Sequence, residues 1–417
     1  MSLFTRTGQG KGRLDSAAAL REVARLASLP VTHRAFEWVR SHEREIAEFQ
    51  MQITSIAAPP FHEEARARFF AECLTKLGYA VRRDGVGNVL ACAGEVPEAV
   101  RVLAVSAHLD TVFPPETPVD VRREHNRLYG PGISDNGAGL AAVWAVAAAL
   151  CASGVQTLAP VVFIGNVGEE GEGDLRGIRH LFADEMWRNR IAAMLVLDGA
   201  GMDSIVAEAL GSRRFEITIT GPGGHSWSDF GVPNPIVAMG RVIDQLSRLS
   251  LPGSPKTTLS IGTISGGTSV NTIPDRAVMR VDLRSAAPGE IDRLEALLRS
   301  IVEKTVSESQ SPRSVQKQLG YEIRLAGDRP AADLDLDSPI LHCLRAADAQ
   351  LGIRSRIHRA STDANIPMSL GVDALAIGAG GIGGGAHTVR EWFDPASRDV
   401  ALKRILLTIL ALAGVME

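Results

Sequence analysis

His108, Asp110, Asp135, Glu169, Glu170, Asp198 and His387 are the side chains best suited to hold a metal ion and move a proton. Carboxylate oxygens and neutral imidazole nitrogens are the ligands a zinc-type ion takes where thiolates are lacking. Thiolates are lacking here: Cys73, Cys92, Cys151 and Cys343 lie far apart and form no C-x-x-C pair. His108 and Asp110 follow a strand-like apolar run, so alternation points them the same way. Asp110 can then fix the tautomer of His108 for metal binding, or the pair can simply close a strand at the surface. Asp135 sits in Gly130-Pro-Gly-Ile-Ser-Asp-Asn-Gly-Ala-Gly139, where it can cap the following helix or bridge two ions.

The adjacent acids Glu169 and Glu170 repel each other unless a cation or a proton intervenes. One can ligate metal while the other takes a proton from activated water and passes it to a leaving amine. Glu170 is assigned to metal and Glu169 to general base, the alternative being a solvated acidic loop with Glu172 and Asp174. Asp198 precedes Gly199-Ala-Gly201 and can ligate or start a turn. His387 follows the run Gly378-Ala-Gly-Gly-Ile-Gly-Gly-Gly385-Ala, which lacks the G-x-G-x-x-G spacing of dinucleotide binding.

These residues need elements to position them. Val102–Ala107, Val161–Asn166 and Ala193–Leu197 read as short buried strands ending at His108, near Glu169-Glu170 and at Asp198, and Gly137–Leu150 reads as a helix of small residues. This alternation predicts an α/β mixed-sheet domain with helices on both faces and ligands at the carboxyl ends of its strands. From residue 211 the order changes to strand, helix, strand, strand, helix, strand, the sequence of a ferredoxin-like α+β domain. The expected division is an N-terminal arm over 1–30, a catalytic domain in two parts over 31–210 and 326–417, and an inserted domain over 211–325.

With 417 residues, 45% hydrophobic and 22% charged, the chain has the composition of a soluble globular protein of about two domains. A formal charge of −4 gives no basic footprint for nucleic acid or acidic lipid, which leaves peptides or small molecules as partners. The first twenty residues hold no continuous apolar core of a signal peptide, and the run from Gly139 to Ala152 is too short to span a bilayer. A cytoplasmic location with no membrane partner is expected.

The ordered set His-Leu-Asp, Gly-Pro-Gly-Ile-Ser-Asp-Asn, Gly-Glu-Glu-Gly, Asp-Gly and a late Gly-Ala-His resembles the cocatalytic zinc exopeptidases of peptidase family M20. Peptidase T, carboxypeptidase G, aminoacylase and succinyl-diaminopimelate desuccinylase are members. The resemblance implies two divalent ions per subunit, zinc by default and cobalt or manganese as substitutes. It implies that Asp135 bridges them, that Glu170 and His387 complete one site, and that His108 and Asp198 complete the other. Glu169 is then the base and Asp110 the partner of His108, and the Asp135–Asn136 bond is often cis in such proteins. The inserted domain would be a lid that also joins a homodimer. His225, in Gly221-Pro-Gly-Gly-His-Ser, would help hold the developing oxyanion in the neighbouring subunit's site, while Asn271 and Arg284 would bind substrate backbone or a terminal carboxylate. The blander uses are turn capping for His225, loop stabilisation for Asn271 and surface pairing for Arg284. Ser361-Thr-Asp-Ala-Asn365 is closer to the peptidase T and carboxypeptidase branches, so di- or tripeptides are the expected substrates. An N-acyl amino acid deacylase is the alternative within the same chemistry, and a non-catalytic metal-binding relative the alternative outside it.

Overall fold

A computed structural model describes residues 15–97, 99–310 and 318–416. Two compact units divide it: a larger one that runs to Ala209 and resumes at Asp333, and a smaller one, Leu210–Ala332.

The first described helix, Ser16–Ala27, is capped by Asp15, whose Oδ1 accepts the Ala18 N–H at 2.7 Å. Its buried residues, Ala19, Val23 and Leu26, recur at helical spacing and face helices Pro339–Leu351 and Arg398–Ala413. Pro30, expected to close a separate arm, instead opens helix Pro30–Ser41, where its fixed φ suits the first turn and its missing N–H costs nothing. From Ser16 onward the expected arm packs one helix face into the larger unit, and its first fourteen residues lie outside the described ones.

The larger unit is built on a nine-stranded mixed sheet. Its centre runs Val161–Asn166, Val102–His108, Ile191–Leu197, Asp373–Ile377, all parallel to their neighbours. The first three are wholly or almost wholly buried, which is why they read as continuous apolar runs rather than alternating ones. Their carboxyl ends lie together, because parallel neighbours finish on one edge. Helix Gly137–Ser153 is buried along nearly its whole length, and its Ala and Gly residues let it pack closely on the sheet. At Gly139 a β-carbon would overlap Asn136 Oδ1 and the Leu197 carbonyl, so glycine is what permits that approach.

The smaller unit has a four-stranded antiparallel sheet, ordered Thr257–Gly266, Arg276–Ser285, Gly211–Thr220, Gly320–Arg329. Counted along the chain this is 2-3-1-4, the strand order of a ferredoxin-like βαββαβ unit, with helices Pro235–Ser247 and Pro288–Glu308. Phe215, Ile217 and Ile219 on one face of the sheet bury against Val242 and Leu246 of one helix and Leu294 and Leu298 of the other. The last strand runs to Arg329, past the expected boundary at 325. Among the described residues no helix is long and apolar enough to cross a membrane.

Candidate active site

Strand ends deliver the acids and imidazoles to one place. His108 is the last residue of its strand, Asp198 follows Leu197, and Glu169 and Glu170 follow Val161–Asn166 by a short loop. His387 arrives from the glycine run after Asp373–Ile377 and holds a left-handed φ of 64°. Asp135 comes from the loop before helix Gly137–Ser153, and its bond to Asn136 is cis, as the resemblance implies.

Asp135 lies between the two imidazoles. Its Oδ1 is 3.1 Å from His108 Nε2 and its Oδ2 is 3.1 Å from His387 Nε2. Each imidazole meets a second carboxylate: His108 Nε2 is 3.6 Å from Asp198 Oδ1, and His387 Nε2 is 3.2 Å from Glu170 Oε1. One ligand atom each from His108, Asp135 and Glu170 fits within 4.8 Å of the others. Asp135 therefore faces a His108–Asp198 pair on one side and a His387–Glu170 pair on the other.

Electrostatics favour a cationic occupant. Asp135, Glu169, Glu170 and Asp198 bring four carboxylates to two imidazoles, and Glu169 and Glu170 are buried. Two like charges 4 Å apart repel by about 4 kcal/mol at an effective dielectric of 20, so such a cluster needs positive charge. Burial works to raise the Asp135 carboxyl, yet hydrogen bonds from His108 and His387 hold it well below the usual range. Burial likewise pulls His108 down, but Asp110, Asp135 and Asp198 together lift it well above the ordinary imidazole value. Asp135 and Glu170 push His387 up to about 10. The donor set suits divalent ions, which would take the place of the imidazole protons.

Asp110 does more than the sequence suggests. His108 Nδ1 lies 3.1 Å from the Asp110 main-chain carbonyl and 3.7 Å from its carboxylate, so the carbonyl is the nearer acceptor. The carboxylate itself accepts the Glu169 N–H at 2.9 Å on Oδ1 and the Glu170 N–H at 2.7 Å on Oδ2. One buried acid therefore orients the strand end that carries His108 and the loop that carries both glutamates. Arg66, fully buried, braces the same strand end by donating to the Leu109 carbonyl at 2.8 Å.

In the smaller unit His225 and Asn271 meet on the two-stranded ribbon Gly224–His225 with Thr272–Ile273, where Ser226 N–H donates to the Asn271 carbonyl at 3.0 Å. His225 Nδ1 accepts the Trp227 and Ser228 N–H groups at 3.2 and 3.3 Å, which leaves the proton of a neutral ring on Nε2. Arg284 is on the main sheet of that unit, with Nε on Asp282 Oδ2 at 2.6 Å, the surface pairing that was the blander expectation.

Residues 104–411 match the sequence profile of Peptidase family M20/M25/M40. The chain belongs to that family. It is therefore a hydrolase of peptidase type, with the mixed α/β fold of such enzymes. A probable carboxypeptidase of Aspergillus clavatus is 28% identical over 317 residues, covering 70% of this chain and 67% of the relative. The chain spans about two thirds of the length of such curated relatives. Among solved structures, a tripeptidase from Staphylococcus aureus superposes with a TM-score of 0.71 at 20% identity, over 89% of this chain and 98% of that one. A dinuclear metal-binding peptidase of the M20 family from Bacillus subtilis superposes with a TM-score of 0.64 at 17% identity, over 90% and 100%.

Three supporting residues of this family member escape sequence reading. Asn136 Nδ2 donates to the Leu197 carbonyl at 2.9 Å while its Oδ1 accepts from Gly139 and Gly199, tying the Asp135 loop to the Asp198 strand end. Asp363 is fully buried and accepts from Asn166 Nδ2 at 2.7 Å; burial pushes its carboxyl up to about 7, with Asp110 and Asp198 adding to the rise and His108 opposing it. Glu391 accepts from three backbone N–H groups of the Asp135 loop. Asp363 lies in the quoted Ser361–Asn365 stretch, whereas Glu391 gives no signal beyond following His387 by four residues.

Proposed function

We propose that this chain hydrolyses the amide bond of short peptides at a dinuclear divalent-metal centre. The observation that carries this reading is the Asp135 carboxylate, whose two oxygens each face one imidazole, each imidazole having its own further acid. Asp135, His108 and Asp198 would hold one ion; Asp135, His387 and Glu170 the other. Bound there, the ions supply Lewis-acid polarisation of the scissile carbonyl and lower the pKa of the attacking water. With the ions bound, Glu169 would take a proton from the attacking water and return it to the leaving amine, Asp110 fixing the glutamate's backbone. In a homodimer His225 would offer its Nε2–H to the developing oxyanion in the neighbouring subunit's site, while Asn271 and Arg284 would bind substrate backbone or a terminal carboxylate.

Zinc is the proposed metal, since the donors are nitrogen and oxygen in the numbers zinc accepts. The smaller unit is proposed as a lid and as the joint of a homodimer, and the four free cysteines suit a reducing cytoplasm.

The test is an activity panel on metal-stripped and zinc-reloaded protein, with di- and tripeptides set against N-acyl amino acids. Reloaded protein is expected to cleave the peptides and stripped protein to cleave nothing. Cleavage confined to N-acyl amino acids would replace the peptidase reading with the deacylase one, and turnover without metal would overturn both.

A further inference from the structure

Bridging by Asp135 requires its loop to be held at a fixed distance from the loop of His387, and both are loops with glycine backbones. Between Gly130 and Asn136 the chain makes no strand, so most of its N–H groups must find acceptors outside a β-ladder. Gly130 and Gly132 both have positive φ, 156° and 79°, which few other residues adopt. A buried N–H left unpaired is costly, and these donors need a common acceptor.

Glu391 provides it. Its Oε1 accepts the Ser134 and Asp135 N–H groups, both at 2.7 Å, and its Oε2 accepts the Gly132 N–H at 3.0 Å. Its main-chain carbonyl takes the Gly130 N–H at 3.1 Å. Only 1% of Glu391 is exposed, so these bonds are shielded from water. Its own N–H donates to the Thr388 carbonyl at 3.1 Å, closing the turn that directly follows His387. Glu391 therefore ties the Asp135 loop, through its side chain, to the turn that follows His387. Gln50 Nε2 holds the remaining side of the loop through the Ile133 carbonyl at 2.6 Å.

We infer that Glu391 is a positioning residue of the metal centre, its carboxylate setting the separation between the bridging Asp135 and His387. The inference rests on the metal-centre reading above. Glu391 touches no reacting atom; it acts through Asp135. Glutamine cannot replace it, because one amide oxygen can serve Ser134 and Asp135 but the NH₂ group would then meet the Gly132 N–H, donor against donor. Aspartate keeps the charge but is one methylene too short.

The experiment is titration of the metal-free full chain with cobalt(II), followed by visible absorption, for wild type, Glu391→Gln and Glu391→Asp. Val23→Ala, in a helix remote in sequence from the loop, serves as a control for general loss of stability. Both Glu391 variants are expected to bind cobalt about 10–100-fold more weakly, with an altered absorption band, and to lose kcat while KM holds. Val23→Ala should lower the melting temperature yet keep the wild-type cobalt affinity and spectrum. Wild-type affinity and spectrum in whichever Glu391 variant folds would overturn the inference, as would changes matched by Val23→Ala. If wild type itself takes up no cobalt, the metal-centre reading fails and this inference falls with it.

Discussion

Glu169→Gln is expected to lower kcat by about 10²–10⁴-fold, the usual span for removal of a general base, while the protein still binds both metal ions. Glutamine matches glutamate in shape, and its backbone N–H can still donate to Asp110, so the loop keeps its course. What the substitution removes is the basic oxygen. Glu170, beside it, has Oε1 within 3.2 Å of His387 Nε2 and belongs to the proposed ligand set. The two neighbours therefore predict opposite patterns: Glu170→Gln loses metal and activity together, and Glu169→Gln loses activity alone. Steady-state kinetics paired with metal analysis of the same preparations checks this. Metal loss in Glu169→Gln would make Glu169 a ligand instead of a base.

Asp135→Asn should have the broadest effect on metal content, because it alters a donor common to both sets. Removing one charge from a buried, paired arrangement costs roughly 3–5 kcal/mol, equivalent to two or more decades of affinity. Both ions should weaken together. By contrast, His387→Ala removes a donor that faces only Oδ2 of Asp135 and Glu170, so one ion should remain. Metal content after dialysis against micromolar zinc, measured on the two variants side by side, separates a shared carboxylate from two independent sites. Retention of one tight ion in Asp135→Asn would contradict the shared role.

Much of the large sheet was legible because its central strands are buried on both faces and so appear as apolar runs with a polar residue where each run stops. His108 and Asp198 were readable for that reason. The ferredoxin-like unit was equally clear, since its strands alternate and its helices have an apolar stripe. Long-range main-chain pairing was not legible. Ile382–Gly384 lies in what reads as a flexible glycine run, yet it forms a strand against Trp392–Asp394, which in turn pairs with Arg127–Tyr129. Nothing local in glycine encodes such pairing; Gly384 fits there because a β-carbon would strike the Trp392 ring.

At the site the same division holds. Side chains that would meet an ion are of recognisable type, and type plus position at a strand end was enough to nominate them. Asp110 was nominated for the right neighbourhood, but its principal hydrogen bonds go to the backbone of residues about sixty positions away. Glu391 and Asn136 also act on backbone groups that every residue possesses, so the sequence gives no sign of which one they will hold.

Calorimetric titration of metal-free protein with zinc at pH 7.5, repeated in buffers of different ionisation enthalpy, tests the dinuclear centre most directly. His387 is raised to about 10 and His108 is raised above its ordinary value by its carboxylate neighbours, and neutral rings are needed to ligate, so zinc competes with protons for these imidazoles. The account predicts two zinc ions per chain and release of protons on binding, with the His387 share of that release shrinking as pH rises toward 10. One ion or none per chain, or binding without proton release, would contradict it.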